Sequence, residues 1–194
     1  MEVQSDLKVT YKAFVLEQMN FGKVRGPKWK AWKDRTFPSR DMPSHEAAKC
    51  AALQGEEVFS AYHLQLHRAK HVDKKDITNQ LVLRDIAIQS GLDVGRWEED
   101  MKNGSGISQV ADDHMEAEET WGVFGVPTLY FEKGKPLFLK LEEGDWEGVD
   151  DQGLLNAVIE TTVERPYILE VKTPESSRRS EASQKKYKKY IGEK

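Results

Sequence analysis

The residues able to do chemistry in this sequence are few and scattered. Its one cysteine, Cys50, lies within Ala47-Ala48-Lys49-Cys50-Ala51-Ala52. A run of small residues like this reads as a packed helix face, where a free thiol is ordinarily an inert filler. A nucleophilic role would need a partner His or Cys in sequence reach, and none is present. His63, His67 and His71 recur every four residues, so a helix stacks them along one face. Two imidazoles can hold a transition metal. No carboxylate or cysteine completes a ligand set at standard spacing, however, and a polar outer face accounts for the stripe equally well. No catalytic or metal-ligating residue is therefore assigned. Glu98-Glu99-Asp100 and Asp112-Asp113 read as solvated helix faces. Lys28-Trp29-Lys30-Ala31-Trp32-Lys33 alternates cations with aromatics, a chemistry that can stack on bases, although tryptophans packed beneath a long loop explain it more simply.

The remaining class evidence is compositional. Of 194 residues, 38% are hydrophobic and 32% charged, which suits one globular domain, or one domain with an insertion, large enough to fold unaided. No apolar run approaches the roughly 18 residues of a membrane span. The opening Met1-Glu2-Val3-Gln4-Ser5-Asp6 has neither the basic flank nor the apolar stretch of a signal peptide. With a single cysteine no intrachain disulfide forms, and a reducing cytoplasm is the expected compartment. The net charge of −4 hides an asymmetry: residues 176–194 carry seven Lys/Arg and two Asp/Glu, net +5, which leaves −9 for the body. An acidic body argues against a broad nucleic-acid surface. The tail, with Lys185-Lys186-Tyr187-Lys188-Lys189-Tyr190, reads as a disordered basic extension from Thr173 onward.

The elements that would position these residues run in a clear order. Leu7 to Leu16 alternates and then turns apolar, predicting a strand that enters the core from an exposed edge. Residues 18–43 read as a long loop. Helices follow: Ser44 caps His45 to Gln54, residues 56–70 carry Val58, Phe59, Tyr62 and Leu66 on one stripe, Leu81 to Ile88 ends at Gly91, Asp93 caps a short helix with Trp97 and Met101, and 107–120 forms the last. Val126–Phe131 and Pro136–Leu141 predict a hairpin around Glu132-Lys133-Gly134-Lys135. Asp150 to Val163 closes as a helix, and Tyr167–Val171 is a candidate late strand. No internal repeat is present. The order predicts an α+β fold with a helical insertion.

Three stretches together resemble a known family. Pro43-Ser44-His45-Glu46-Ala47-Ala48-Lys49-Cys50-Ala51-Ala52 resembles the first helix of the DsbA-like helical insertion, and Ile86-Ala87-Ile88-Gln89-Ser90-Gly91-Leu92-Asp93 resembles its helix–turn–helix joint. Gly122-Val123-Phe124-Gly125-Val126-Pro127-Thr128-Leu129 is similar to the proline loop that thioredoxin-fold proteins set beside the active site. The resemblance covers about residues 7–163 and points to the group shared by DsbA-type disulfide oxidoreductases, 2-hydroxychromene-2-carboxylate isomerases and kappa-class glutathione transferases. It implies a thioredoxin-like sheet divided as 1–42 and 121–172, with a helical insertion at 43–120 and a tail at 173–194. It also implies that Val126-Pro127 is cis. Gly125, Val126, Pro127 and Thr128 would then form the substrate site, with Val126 offering its N–H and C=O to an extended thiol- or disulfide-bearing peptide, or to glutathione as co-substrate. Lys28–Lys33 would fall in a variable loop near that site, where its aromatics could hold an apolar substrate.

The resemblance also implies something missing. Family chemistry uses a C-x-x-C, or a serine in the glutathione-using relatives, at the end of a preceding strand. Leu7 to Leu16 matches the second strand of the fold. Six residues precede Leu7, whereas a strand plus helix needs about 25. Two expectations follow: a reading frame that extends upstream of Met1, or a natural variant that binds without reacting. Thiol–disulfide exchange is not expected from the chain as written. A sheet lacking its central strand is expected to recruit Tyr167–Val171 or a second copy, as a homodimer, to cover its unpaired backbone.

Overall fold

The computed structural model describes residues 8–140 and 151–171. They fall into two compact units, one holding 8–130 with 136–140 and the other 131–135 with 151–171. The tail from Thr173 and the residues before Lys8 lie outside the described part.

The first unit is mostly helical. Its helices are α1 (Leu16–Arg25), α2 (Met42–Ala52), α3 (Glu56–His71), α4 (Gln80–Gln89), α5 (Val94–Asn103) and α6 (Ile107–Glu119). A two-stranded antiparallel ribbon follows, β1 (Thr128–Leu129) with β2 (Leu137–Phe138), in the register Thr128 to Phe138 and Leu129 to Leu137. Among the described residues this ribbon is the whole sheet. Tyr167–Val171 has no strand structure and pairs with nothing in the sheet.

The predicted first strand is corrected. Residues 8–15 form no ladder, and Leu16 opens α1 instead of ending a strand. The segment stays free of strand partners because helix α6 supplies side-chain acceptors: Ala13 N–H donates to Asp113 Oδ2 at 2.7 Å and Val15 N–H to His114 Nδ1 at 3.1 Å. With those amides satisfied, burying Ala13, Phe14 and Val15 needs no neighbouring strand.

The predicted loop at 18–43 is also corrected, since α1 occupies its first part. Leu16, Glu17, Gln18 and Met19 are good helix formers. Glu17 lies in the first turn and Lys23 and Arg25 in the last, which suits the helix dipole. The rest of the segment folds back onto α1. The Glu17 carboxylate accepts from Ser39 Oγ and, at 2.7 Å, from Arg40 N–H, while Gln18 Oε1 accepts from Ala31 N–H at 2.9 Å.

Helix α2 begins at Met42, not after Ser44. Pro43 stands in its first turn, where the missing N–H costs nothing, and Ser44 Oγ donates back to Asp41 O at 2.9 Å. The other caps follow their residue types. Asn79 and Asp93 accept from Leu81 and Arg96 N–H at the starts of α4 and α5, and Gly104, at φ 69, closes α5 in the left-handed region.

Two cores result. Ala47, Cys50, Ala51, Tyr62, Leu66, Leu83, Ile86, Ala87 and Trp97 pack α2 against α3, α4 and α5, with Trp97 Nε1 donating to Ala47 O at 3.0 Å. Ala13, Val15, Trp32, Met42, Val110 and Ala111 form the second, between the extended segment, the tryptophan loop and α6.

The second unit holds α7 (Asp151–Ile159), which runs into a single π turn at Glu160–Glu164. Thr162 Oγ1 donates to Val158 O at 2.9 Å, and the Thr162 carbonyl accepts from Lys135 N–H at 3.4 Å. Gly134, at φ 117, lies against that carbonyl.

Gly106 lets α6 start against α2. A Cβ there would meet Glu46 O at 2.8 Å, Lys49 Cβ at 3.0 Å and Cys50 Sγ at 3.3 Å. The neighbouring backbone has little room to yield, so Gly106→Ala is expected to destabilise the chain by about 1–3 kcal/mol. Urea unfolding of the two proteins measures this, and an unchanged midpoint would refute the tight α2–α6 contact.

Candidate substrate-binding site

The loop after α6 is shaped by that helix's end. Gly122, at φ 64, turns the chain out of the helix. Gly122 N–H donates to Glu118 O at 3.2 Å and Val123 N–H to Ala117 O at 2.9 Å, which satisfies two terminal carbonyls. Gly125 is buried, and a Cβ there would press on the Phe138 ring at 3.0 Å. Thr128 Oγ1 donates to the Gly125 carbonyl at 2.7 Å. The Val126–Pro127 peptide bond is cis, and Pro127 O accepts from Leu139 N–H at 3.0 Å, which ties the loop to β2.

Gly125, Val126, Pro127 and Thr128 are thus one continuous rim. Val126 is 45% exposed, and among the described residues nothing bonds its backbone N–H or C=O. Two aromatic pairs flank it in sequence. Phe124 and Phe138 lie 5.1 Å apart at 54°, and Trp121 and Tyr130 lie 4.0 Å apart. Phe124 is 66% exposed. An unpaired backbone donor and acceptor in a bend that leads directly into β1 is the kind of group a short extended peptide bonds in strand addition.

Cys50 is not part of such chemistry. Its side chain is fully buried, and burial pushes its thiol up to about 12, so no thiolate is present near neutral pH. The tryptophans of residues 28–33 pack into the fold. Trp32 is buried with its ring 5.2 Å from that of His114, and half-buried Trp29 donates from Nε1 to Asp34 Oδ2 at 2.8 Å beneath the Arg25 guanidinium. A shallow cleft of about 360 Å³ lies between Lys30, Trp32 and Met115, and none of residues 125–128 lines it. Among the described residues no three of His, Cys, Asp or Glu converge as a metal site. No helix among them is long and apolar enough to cross a membrane.

The sequence reading missed a buried polar cluster. Asp113, expected on a solvated face beside Asp112, is buried. Its carboxylate pairs with Lys49 Nζ at 2.5 Å and Lys12 Nζ at 3.3 Å while accepting from Ala13 N–H. His114 is fully buried. Because Nδ1 accepts from Val15, the proton belongs on Nε2, which has no hydrogen-bond partner and lies 3.6 Å from Glu118 Oε2. Burial lowers the pKa of His114, with Glu118 acting in the opposite sense. Burial likewise pushes His45 down to about 4, against a hydrogen bond to the Phe14 backbone. The period of a single helix cannot reveal these contacts, whose partners stand about 100 residues apart.

The sequence pattern of the DSBA-like thioredoxin domain matches residues 30–160, more than half of the chain and inclusive of the whole proline loop. The protein therefore belongs to the DSBA-like thioredoxin domain family, a thiol–disulfide oxidoreductase-like class. No curated protein matches the chain.

The cluster makes two expectations concrete. Removing the Asp113 carboxylate strands Lys49 and the Ala13 amide, so Asp113→Ala should cost about 3 kcal/mol. Hydrogen exchange at Ala13 should speed up more than exchange in α3, and equal acceleration everywhere would contradict a local role. The second concerns pH. His45 is held neutral in the fold to about 4, below the ordinary 6.5. Its contribution is therefore complete above pH 6.5 and drains away as pH falls toward 4. The unfolding free energy from urea titration should decline through that window, His45 contributing about 1 kcal/mol per pH unit. His45→Gln, which still donates to Phe14 O, should reduce the slope by that amount, while His63, His67 and His114 keep the rest. An unaltered slope would exclude His45 as its source.

Proposed function

We propose that this chain is a substrate-docking domain of thiol–disulfide chemistry. It receives an extended thiol- or disulfide-bearing peptide, with glutathione as the smallest such ligand, along Gly125–Thr128. The observation that carries this is Val126, an exposed residue whose N–H and C=O nothing among the described residues bonds, in a loop flanked in sequence by the ring pairs Phe124–Phe138 and Trp121–Tyr130. A peptide added as a short strand bonds that pair through one of its own residues, and its neighbouring residues point their amides away. Membership in a thiol–disulfide oxidoreductase-like family supports the thiol character of the ligand.

The chain's own sulfur supports a docking role over turnover. Dithiol–disulfide exchange needs an accessible thiolate to attack and a second thiol to resolve the mixed disulfide. Here the single cysteine is buried and protonated. This favours the binding reading over that of an oxidoreductase, an isomerase or a glutathione transferase acting through this chain's own side chains.

Titration of an extended cysteine-containing peptide, followed by calorimetry or by Trp121 fluorescence, tests the proposal. One N-methylated peptide position should abolish binding while the positions on either side are tolerated. Equal tolerance at every position, or no binding of peptide or glutathione, would refute strand addition at Val126.

A further inference from the structure

We propose that the outer face of α3 is a chelating site for a late first-row divalent metal ion, Cu(II) above all, held by adjacent pairs among His63, His67 and His71. The site uses no residue of the proline loop and does not depend on that reading.

Helix α3 is 16 residues long and carries these imidazoles one turn apart. The His63 and His67 ring centroids are 4.5 Å apart, edge to face, and those of His67 and His71 are 5.8 Å apart and within 11° of parallel. Imidazoles one helical turn apart can share a metal about 2.0–2.1 Å from a nitrogen of each once their side chains rotate to converge, the near-parallel His67 and His71 rings included. Among the described residues none of the three rings makes a hydrogen bond or ion pair, and His63 Nδ1 is enclosed without a partner. Tyr11, at 4.0 Å, and Phe59, at 5.5 Å, wall the His63 end with apolar surface.

The protonation state suits ligation. Burial and then His67 push His63 down to about 4, and burial and then His71 lower His67. Both therefore present lone pairs at neutral pH, with no proton to displace. The remaining histidines are committed elsewhere, His45 to the Phe14 backbone and His114 to Val15 N–H.

The ligand count selects the metal. With two imidazoles and, among the described residues, no third protein ligand, the closed tetrahedral set of structural zinc is not formed. Two nitrogens completed by water fit the tetragonal preference of Cu(II), which also heads the affinity order.

His67 belongs to both overlapping pairs, and this gives the test its shape. Cu(II) alone is titrated into the full chain in a non-coordinating buffer, read by calorimetry and by nitrogen coupling in electron paramagnetic resonance. Two imidazole nitrogens on one ion per chain are expected. His67→Ala destroys both pairs and should weaken binding roughly a hundredfold, whereas His63→Ala or His71→Ala leaves one pair and should cost only about twofold. His67→Gln, checked for an unchanged circular dichroism spectrum, repeats the measurement with a side chain of similar size. Wild-type affinity in both His67 variants, or a signal from fewer than two imidazoles, would overturn the proposal.

Discussion

Every buried amide in an extended segment must find an acceptor, and how residues 8–15 meet that demand sets the arrangement of the first unit. In a sheet the acceptors are carbonyls of the next strand. Here they are Asp113 and His114 of α6. An amide left without either would cost about 1–3 kcal/mol, so α6 has to lie alongside this segment with those two side chains turned toward it. Lys49 then joins α2 to the same carboxylate, and Ala13, Val15, Trp32 and Val110 close the space between. Asp113 and His114 are adjacent in sequence, yet they serve amides two residues apart, matching the two-residue repeat of an extended chain.

The same helix delivers the candidate site. Its start is held close to α2 by Gly106, and its last carbonyls are capped by the amides of Gly122 and Val123. The loop therefore departs in a direction set by packing more than 10 residues upstream. From there the Thr128 hydroxyl and the Leu139 amide fix the loop's own course. Gly125 packs closely on Phe138, whose ring would have to give way to a Cβ placed 3.0 Å from it. That close approach brings the Phe124–Phe138 ring pair beside Val126.

Much of this was legible in the residues, and what was not has a common cause. Helices α4 and α5 declared themselves through local chemistry: apolar Leu81, Ile86 and Ile88 before the closing Gly91 in the first, and the cap Asp93 before Trp97 and Met101 in the second. Cys50 could be read as a packing residue from its small neighbours, and the proline loop from its order of residues. Leu7 to Leu16 had a period of two, which specifies an extended backbone but not the partner of its edges. Asp113 sits next to exposed Asp112 in an acidic, helix-compatible stretch, and nothing within a few residues distinguishes the buried carboxylate from the solvated one. Helix α1 was hidden for the opposite reason. Its apolar positions form no strong stripe, and it is held by Glu17 and Gln18 reaching side chains and amides across the following loop. Contacts that close locally are visible in sequence, and those that close across the chain are not.

The division between docking and reactivity follows from what each requires. A reactive thiol needs stabilisation of its charged form and a path for substrate, and Cys50 has neither in the middle of the α2 core. Docking through Val126 needs only a backbone pair held open, which glycines, a proline and one hydroxyl provide without any ionisable group. Backbone bonding is nearly blind to the ligand's sequence, so selectivity on the proposed reading comes from the rings that flank it. Trp121, Phe124, Tyr130 and Phe138 offer apolar, polarisable surface and no formal charge, so they favour peptides with aromatic or aliphatic residues next to the paired position. Glutathione brings only short or charged side chains to those rings. On that reading it would gain the backbone bonds but little of the aromatic contact, and would rank below an apolar peptide.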